Sequence, residues 1–368
     1  MKIALFIDAD YNKPGGVQEY IRGLYDYLNK KGHKVTILTG KSKGKIKDKR
    51  NIIETGKSLP LKYPGTSASI ALNWADQEEV DQLFTNHNFD ILHLMAPFGL
   101  LGFQLLEKST AKNVATYLIT VEKSLHPLVL KKIHPLIKNR LEKLHGRLAV
   151  SDIAKDYARE MFPGKYTVIP LGIDTKRFNP KIKKIKAFQD RLNILFVGRL
   201  DKRKGLKYLL RAYKELSNTH QNLRLLIVGS GPTEKKLKNY SKKNKLKIVR
   251  FLGFIPDAQL NRYFASADIF CSPATENETF GGVILEATAS GLPVVAFANQ
   301  GYKNVFGELL KGFIVKNKSV DALVTALEIF IKNKNFRQET GRNNRKLTEE
   351  LFAWEAVGER ILTFYKSL

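Results

Sequence analysis

Cysteine is almost absent from this chain: Cys271 stands alone in 368 residues. No internal disulfide can form, so a fold stapled by cross-links is excluded. The one thiol lies in the apolar run Asp268-Ile-Phe-Cys-Ser272 and reads as a small core residue suited to a reducing compartment. Long apolar runs are missing too. No uninterrupted stretch approaches the roughly 18 apolar residues that a bilayer-spanning helix requires. The opening Lys2-Ile-Ala-Leu-Phe-Ile-Asp8 reads as a strand and lacks the basic segment and cleavable apolar stretch of a secretory leader. The expectation is a cytoplasmic protein, at most peripheral on the inner face of the cell membrane. No low-complexity segment or repeat of solenoid length occurs, which sets aside repeat architectures.

Acidic residues are scarce as well: 35 Asp and Glu face 62 Lys and Arg, a formal charge of +27. Such an excess attracts nucleic acid, anionic lipid surfaces or phosphorylated substrates. Most of the lysines are scattered over helix faces and loops as solvated charge. Two stretches are denser. Lys41-Ser-Lys-Gly-Lys-Ile-Lys-Asp-Lys-Arg50 has almost no apolar content, and a mobile loop is expected there. The stretch from Lys123 to His145 alternates apolar and basic residues at roughly helical spacing. It reads either as a peripheral contact with an anionic membrane through 123–147 or as a core-facing helix with basic residues outside. The basic residues lack the aromatic interleaving of single-strand binders, so no specific nucleic acid is expected as partner.

What is present is an ordinary globular composition, 43% apolar and 10% aromatic, with length for two domains. Strand candidates alternate with helical stretches, the mark of open parallel α/β sheets. In the first half they are Ile3–Ile7, Val35–Leu38, Ile91–Leu94, Val114–Ile119 and Arg147–Val150, with an amphipathic helix over Val17–Lys31. The second half continues with Ile194–Val197, Leu223–Val228, Val249–Leu252, Asp268–Cys271, Pro293–Phe297 and Phe313–Val315. The intervening segment carries Pro, Gly and a basic run and reads as a linker. The expected division is 1–170 and 189–353, with 171–188 between them. Ligands of such sheets bind at the carboxyl ends of the strands, so the two domains are expected to share a cleft.

Three groups of residues lie just after strands. Glu278 precedes Gly281 and Gly282, and Glu286 follows eight positions after Glu278. A loop leading into a helix places Glu278 near the helix N-terminus and Glu286 about two turns further in, on roughly the same face, with N–H groups offered at the glycines. Two glutamates at this spacing are by themselves an ordinary solvated pair. Arg199 and Lys204 are cations five positions apart in a loop bounded by Gly198 and Gly205. Gly15 and Gly16 directly precede the first helix and permit close backbone approach.

The stretch Glu276-Asn-Glu-Thr-Phe-Gly-Gly-Val-Ile-Leu-Glu286 resembles the paired-glutamate signature of retaining nucleotide-sugar glycosyltransferases, specifically family four. The likeness extends to Gly198-Arg-Leu…Lys204-Gly205, Val228-Gly229-Ser-Gly231, Pro14-Gly-Gly-Val-Gln18, Ile169-Pro-Leu-Gly172-Ile-Asp174 and Phe352-Ala-Trp354-Glu355. It implies the GT-B fold, two facing Rossmann-like domains, with the donor bound by the second and the acceptor by the first. It also implies that helix 354–368 crosses back to the first domain. In the family pattern Arg199 and Lys204 bind the donor phosphates, Glu278 accepts sugar hydroxyls and Glu286 the ribose hydroxyls. Phe280, Gly281 and Gly282 offer backbone N–H groups, Gly229 belongs to the next strand's turn, and Gly253, Phe254 and Ile255 lie where the base is read through backbone atoms. Asp10, Gln18, Leu118 and Lys123 fall on the acceptor side.

The resemblance implies front-side transfer with retention, the leaving phosphate helping to take the acceptor's proton. No essential metal or other cofactor is expected, and Asp8-Ala-Asp10, though it looks like an Asp-x-Asp metal motif, reads as structural or acceptor-side. The nearest likeness is to bacterial phosphatidylinositol mannosyltransferases, with two departures. Leu118 stands where the pattern carries a histidine, and Asp76, Glu78 and Glu79 make acidic a stretch that is basic in those enzymes. The expected reaction is hexose transfer, first of all mannose from GDP-mannose and next a UDP-hexose, to a glycan or glycolipid other than phosphatidylinositol. A catalytically weak nucleotide-sugar-binding homologue and a polyanion-binding protein are the alternatives.

Overall fold

The structure is a computed structural model that describes every residue except 9, 14, 42–43, 63–68, 97–98, 119–137, 277 and 308–312. The chain divides into two compact units: Met1–Gly172 joined by Trp354–Leu368, and Ile173–Ala353. Each is built on its own parallel sheet.

In the first unit seven strands lie in the order β3-β2-β1-β6-β7-β8-β9. They are β1 (Lys2–Ile7), β2 (Lys34–Gly40), β3 (Ile52–Thr55), β6 (Ile91–Ala96), β7 (Lys112–Tyr117), β8 (Gly146–Ala149) and β9 (Thr167–Val168). An antiparallel ribbon of β4 (Lys57–Lys62) and β5 (Ser69–Trp74) stands apart. The central strands are apolar almost throughout because helices cover both faces of the sheet. α1 (Gly16–Lys30) buries Tyr20, Ile21, Leu24, Tyr27 and Leu28, one stripe at helical spacing. α2 (Gln77–His87) and α3 (Leu100–Lys108) follow β5 and β6, and α4 (Asp152–Met161) follows β8.

The second unit has six strands in the order β12-β11-β10-β13-β14-β15. These are β10 (Leu192–Val197), β11 (Leu223–Val228), β12 (Val249–Gly253), β13 (Ile269–Ser272), β14 (Val294–Phe297) and β15 (Ile314–Val315). The helices are α5 (Leu206–Thr219), α6 (Glu234–Lys243), α7 (Asp257–Ala265), α8 (Gly282–Ala289), α9 (Gln300–Phe306), α10 (Val320–Lys332) and α11 (Lys334–Phe352). α5 turns Leu206, Leu209, Leu210, Tyr213 and Leu216 onto Ile194, Phe196, Leu225 and Ile227, and α10 adds Leu323, Leu327 and Phe330 to the same core. Segment 173–188 packs on this unit: Phe178 meets Phe264 edge-on at 5.6 Å, and the Ile185 N–H donates to Ser266 Oγ at 2.8 Å.

The last helix, α12 (Trp354–Lys366), returns to the first unit. Its Trp354 ring lies 5.4 Å from Tyr20, and Glu359 accepts from the Tyr27 hydroxyl at 2.8 Å. Tyr365 reaches the buried His93, whose other ring nitrogen meets Thr116 Oγ1 at 2.6 Å. Burial pushes the His93 pKa down to about 3, so the ring is neutral in this network.

The end of the basic stretch is anchored at Asp48 and Arg50. Arg50 pairs with Asp26 at 2.5 Å and Asp48 at 2.8 Å, and Asp48 accepts from Tyr11. The loop buries little of itself but borrows partners from α1 and the β1 turn. The acids that mark the 64–79 stretch also have structural work: Glu79 accepts from the Gly56 N–H at 2.7 Å and Thr55 Oγ1 at 3.0 Å, tying α2 to the end of β3.

Candidate functional site

Strand order in the second unit reverses between β10 and β13, since β11 and β12 extend one way and β14 and β15 the other. At such a switch point the loops leaving the two central strands diverge and open a crevice at the carboxyl ends. The loop after β10 runs Gly198-Arg-Leu-Asp-Lys-Arg-Lys-Gly205 into α5, and the loop after β13 runs Pro273 to Gly281 into α8. Across that crevice Lys204 Nζ donates to Glu278 Oε1 at 2.6 Å, with Lys204 22% and Glu278 9% exposed. The topology thus brings together two residues 74 positions apart.

The first loop is shaped by its own residues. The Asp201 carboxylate accepts from the Lys204 N–H at 3.1 Å and draws Arg203 to 3.3 Å and Arg199 to 3.9 Å. Arg199 and Arg203 keep more than a third of their side chains open to solvent. Gly205 starts α5 at φ +67°, and a Cβ there would overlap the Pro273 carbonyl oxygen. Only glycine lets the two loops come so close. The Thr275 N–H donates to the Arg203 carbonyl at 2.8 Å, which fixes the loops to each other.

The second loop is fixed from below by α9. Asn299 Nδ2 donates to the Ala274 carbonyl at 2.9 Å, and Asn299 Oδ1 accepts the Tyr302 N–H at 2.9 Å. Tyr302 is fully buried. Its hydroxyl lies 2.9 Å from Ser272 Oγ and also bonds the Glu278 carboxylate. A carboxylate only accepts, so Tyr302 donates to Glu278 and Ser272 donates to Tyr302. Burial, reinforced by the Glu278 charge, pushes the Tyr302 pKa well up, which keeps the phenol protonated as the donor.

α8 begins after Gly281 at φ +98°, so Glu278 lies in the loop four residues before the helix and Glu286 half-buried in its second turn. The first-turn N–H groups of α8 are the kind of donors that meet an anion. Phe280 points its ring inward, 5.7 Å from Phe306 and 6.1 Å from Phe352, so only its backbone is available to a ligand. Gly198 and Gly229 adjoin where the β10 and β11 loops cross, and the Gly229 N–H donates to the Gly253 carbonyl at 2.7 Å. Phe254 is 58% exposed and Ile255 half-buried just beyond β12.

The first unit has its own switch point, between β1 and β6. There Asp8 is half-buried and accepts from Asn73 Nδ2 at 2.6 Å and from the Gly99 N–H. Burial pushes its carboxyl pKa up, opposed by these two bonds. Asp10 accepts from the Asn12 N–H at 3.1 Å, and its carbonyl takes a bond from the buried Gln18 at 3.0 Å. Asp10 therefore holds the turn before α1, and Asp8 ties the end of β1 to β5 and to the start of α3. Gly15 occupies the cap of α1, and at Gly16 an added Cβ would meet nothing within 4 Å, so nothing inside the described chain requires glycine there. Leu118 is buried just past β7. Lys123 and most of segment 123–147 lie outside the described residues. In the described remainder Arg140 pairs with Glu107 of α3 at 2.8 Å.

Sequence reasoning passed over Asp201, Tyr302 and the Asp8–Asn73–Gly99 contact. Asp201, three residues before Lys204, carries a local signal, a side chain placed to accept from a following N–H. The other two join residues from distant elements and have none. Among the described residues no three His, Cys, Asp or Glu side chains gather as a metal site, and no helix is long and apolar enough to cross a membrane.

Residues 14–177 match the model described as Glycosyltransferase Family 4, and residues 178–347 that of Glycosyl transferases group 1. The chain is 28% identical to phosphatidyl-myo-inositol mannosyltransferase of Mycobacterium leprae, covering 100% of this chain and 97% of that protein. It is 26% identical to alpha-monoglucosyldiacylglycerol synthase of Streptococcus pneumoniae, over 99% of this chain and 85% of that one. Among solved structures, sucrose-phosphate synthase from Thermosynechococcus elongatus superposes with TM-score 0.74 at 23% identity, covering 100% of this chain and 98% of that one. Anabaena Alr3699/HepE in complex with UDP-glucose gives 0.75 at 18% identity, with both chains fully covered. With both halves matched in order and the GT-B fold present throughout, the chain belongs to the family-four glycosyltransferases.

Proposed function

We propose that this glycosyltransferase moves a hexose, with retention, from a nucleotide-diphosphate sugar to a glycolipid or glycan acceptor. The observation that carries the reading is the Lys204–Glu278 pair across the β10/β13 switch point. It sets a cation for the diphosphate beside a carboxylate for sugar hydroxyls. Negative charge gathers on the departing diphosphate in the transition state, and the fixed Lys204 and Arg199 cations stabilise it there. In this reading the N-terminus of α8 adds N–H donors, Glu286 accepts the ribose hydroxyls, and backbone at Gly253 to Ile255 meets the base. In the first unit the open space at Gly16, next to Gly15 at the cap of α1, suits an anionic group at the helix start.

Lipid acceptors are favoured by the names of the mannosyl- and glucosyltransferase relatives. Mannose from GDP-mannose is the first donor to test, and UDP-hexoses follow. The buried, apolar Leu118 favours a second reading, donor binding with little turnover, because leucine cannot supply the hydrogen bond of the family histidine.

A donor-hydrolysis screen over GDP-mannose, UDP-glucose, UDP-galactose and UDP-N-acetylglucosamine tests both. Release of one nucleotide, lost in Lys204→Ala and Glu278→Ala, supports transfer and names the donor. Nucleotide binding without release of any of them supports the second reading.

A further inference from the structure

The chain's positive charge is concentrated. Between Lys202 and Arg250 there are fifteen Lys and Arg against Glu215 and Glu234, a net excess of thirteen and close to half of the whole chain's +27. Three of the fifteen, Lys202, Arg203 and Lys204, belong to the donor loop. Seven stand in α6 and the turn after it and one at the start of β12: Lys235, Lys236, Lys238, Lys242, Lys243, Lys245, Lys247 and Arg250 are all exposed. Glu234 neutralises Lys238 at 2.7 Å. No other acid faces the group among the described ion pairs.

The fold puts these cations on one side. α6 buries Leu237 and Ser241, so the lysines take the opposite face. β12 is the edge strand of the sheet, and α6 is the crossover that leads into it. The turn after α6 is anchored from the core, since the Tyr213 hydroxyl donates to the Lys247 carbonyl at 2.8 Å. Lys245 and Ile248 take positive φ, +51° and +52°. For a β-branched residue such as Ile248 that conformation is strained and persists only where the surroundings impose it. Lys245 and Lys247 are thereby held out from a fixed turn.

We propose that this face of α6 and its turn rests on an anionic bilayer, as a docking surface on the donor-binding unit separate from segment 123–147. Charge complementarity selects the occupant. The cations spread over a helix flank whose apolar residues point inward, which suits adsorption on lipid headgroups without insertion. The one aromatic of the helix, Tyr240, is half-buried and offers no stacking platform for a nucleic-acid strand. The inference rests on the lipid-acceptor reading above, which requires the enzyme to reach a membrane.

The test is flotation of the full chain with vesicles of phosphatidylcholine alone and of phosphatidylcholine with increasing phosphatidylglycerol. The variant combines Lys242→Gln, Lys243→Gln, Lys245→Gln and Lys247→Gln, all remote from the donor loops. A control combines Lys332→Gln, Lys334→Gln, Arg342→Gln and Lys346→Gln on α10 and α11. Each lysine near an anionic surface contributes about fivefold to partitioning, so the first variant should bind anionic vesicles about a hundredfold or more weakly at low salt. The control should lose far less, and added salt should release the unmodified chain. Equal losses in both variants, or none in the first, would overturn the proposal. So would binding of the unmodified chain to duplex DNA or RNA with vesicles ignored. If the first variant fails to fold, anionic-lipid binding by the unmodified chain that salt does not weaken overturns it as well. Donor hydrolysis is read in parallel without vesicles. Its failure with flotation intact strikes the transferase reading, and the reverse strikes the docking surface.

Discussion

Glu278→Gln should strengthen binding of the leaving nucleotide while weakening the reaction. In the structure Lys204 Nζ is committed to Glu278 at 2.6 Å, so an incoming diphosphate must share or displace that carboxylate. A hydrogen bond between charged groups contributes about 1.5–3 kcal/mol where water is excluded. Lys204 is 22% exposed, so solvent screening brings the value below that range, to about 1 kcal/mol, or roughly fivefold in affinity at about 1.36 kcal/mol per tenfold. Glutamine keeps the volume, and its amide oxygen still accepts from Tyr302, so the loop should hold its shape. Calorimetry with GDP and UDP should then show the cognate diphosphate binding about fivefold more tightly. The sugar loses a charged acceptor at the same time, and kcat/KM for transfer should fall roughly ten- to a hundredfold. Unchanged or weaker diphosphate binding in the Gln variant would refute the reasoning, because Lys204 would then not be held by Glu278 in the free enzyme.

Three further outcomes follow from the same contacts. Tyr302→Phe removes the hydroxyl that links Ser272 to Glu278; thermal unfolding should show a loss of about 1–3 kcal/mol, with KM for the donor raised. Gly205→Ala forces a side chain into φ +67° and onto the Pro273 carbonyl, and the unfolding free energy from denaturant titration should drop by more than the roughly 1–2 kcal/mol of the backbone cost alone. His93 has its pKa lowered to about 3 by burial, so the unfolded chain binds more protons than the folded one between that pH and the ordinary value near 6.5. Stability should therefore decline as pH falls through that window, and the decline should be shallower in His93→Gln when melting temperatures are compared across it.

Much of this protein was legible in its residues one after another. Apolar runs such as Leu223–Val228 and the stripe of α1 are local, and a sheet covered on both faces leaves that mark in any order of strands. The glycines flanking Arg199 and Lys204, and the Gly281–Gly282 pair before α8, are also local, because a turn needs its special residues wherever it occurs. Less was legible where polarity or a proline hid the pattern. The β4–β5 ribbon has Pro60 in Lys57–Lys62 and only the short apolar run Ile70-Ala-Leu72, and the basic stretch is anchored at Arg50 by Asp26 and Asp48 rather than by apolar burial.

Tertiary structure alone decided which separated residues meet. Strand order set the β10 loop against the β13 loop, and so joined Lys204 to Glu278 across 74 positions. It placed Tyr302 beneath that carboxylate and Asp8 against Gly99 at the other sheet's reversal. It also returned α12 to the first unit, where Tyr365 closes on His93. Local sequence sets which element a segment forms, through propensity and the period of its apolar positions. Contacts between elements depend on the order and handedness of strands, which no single segment encodes.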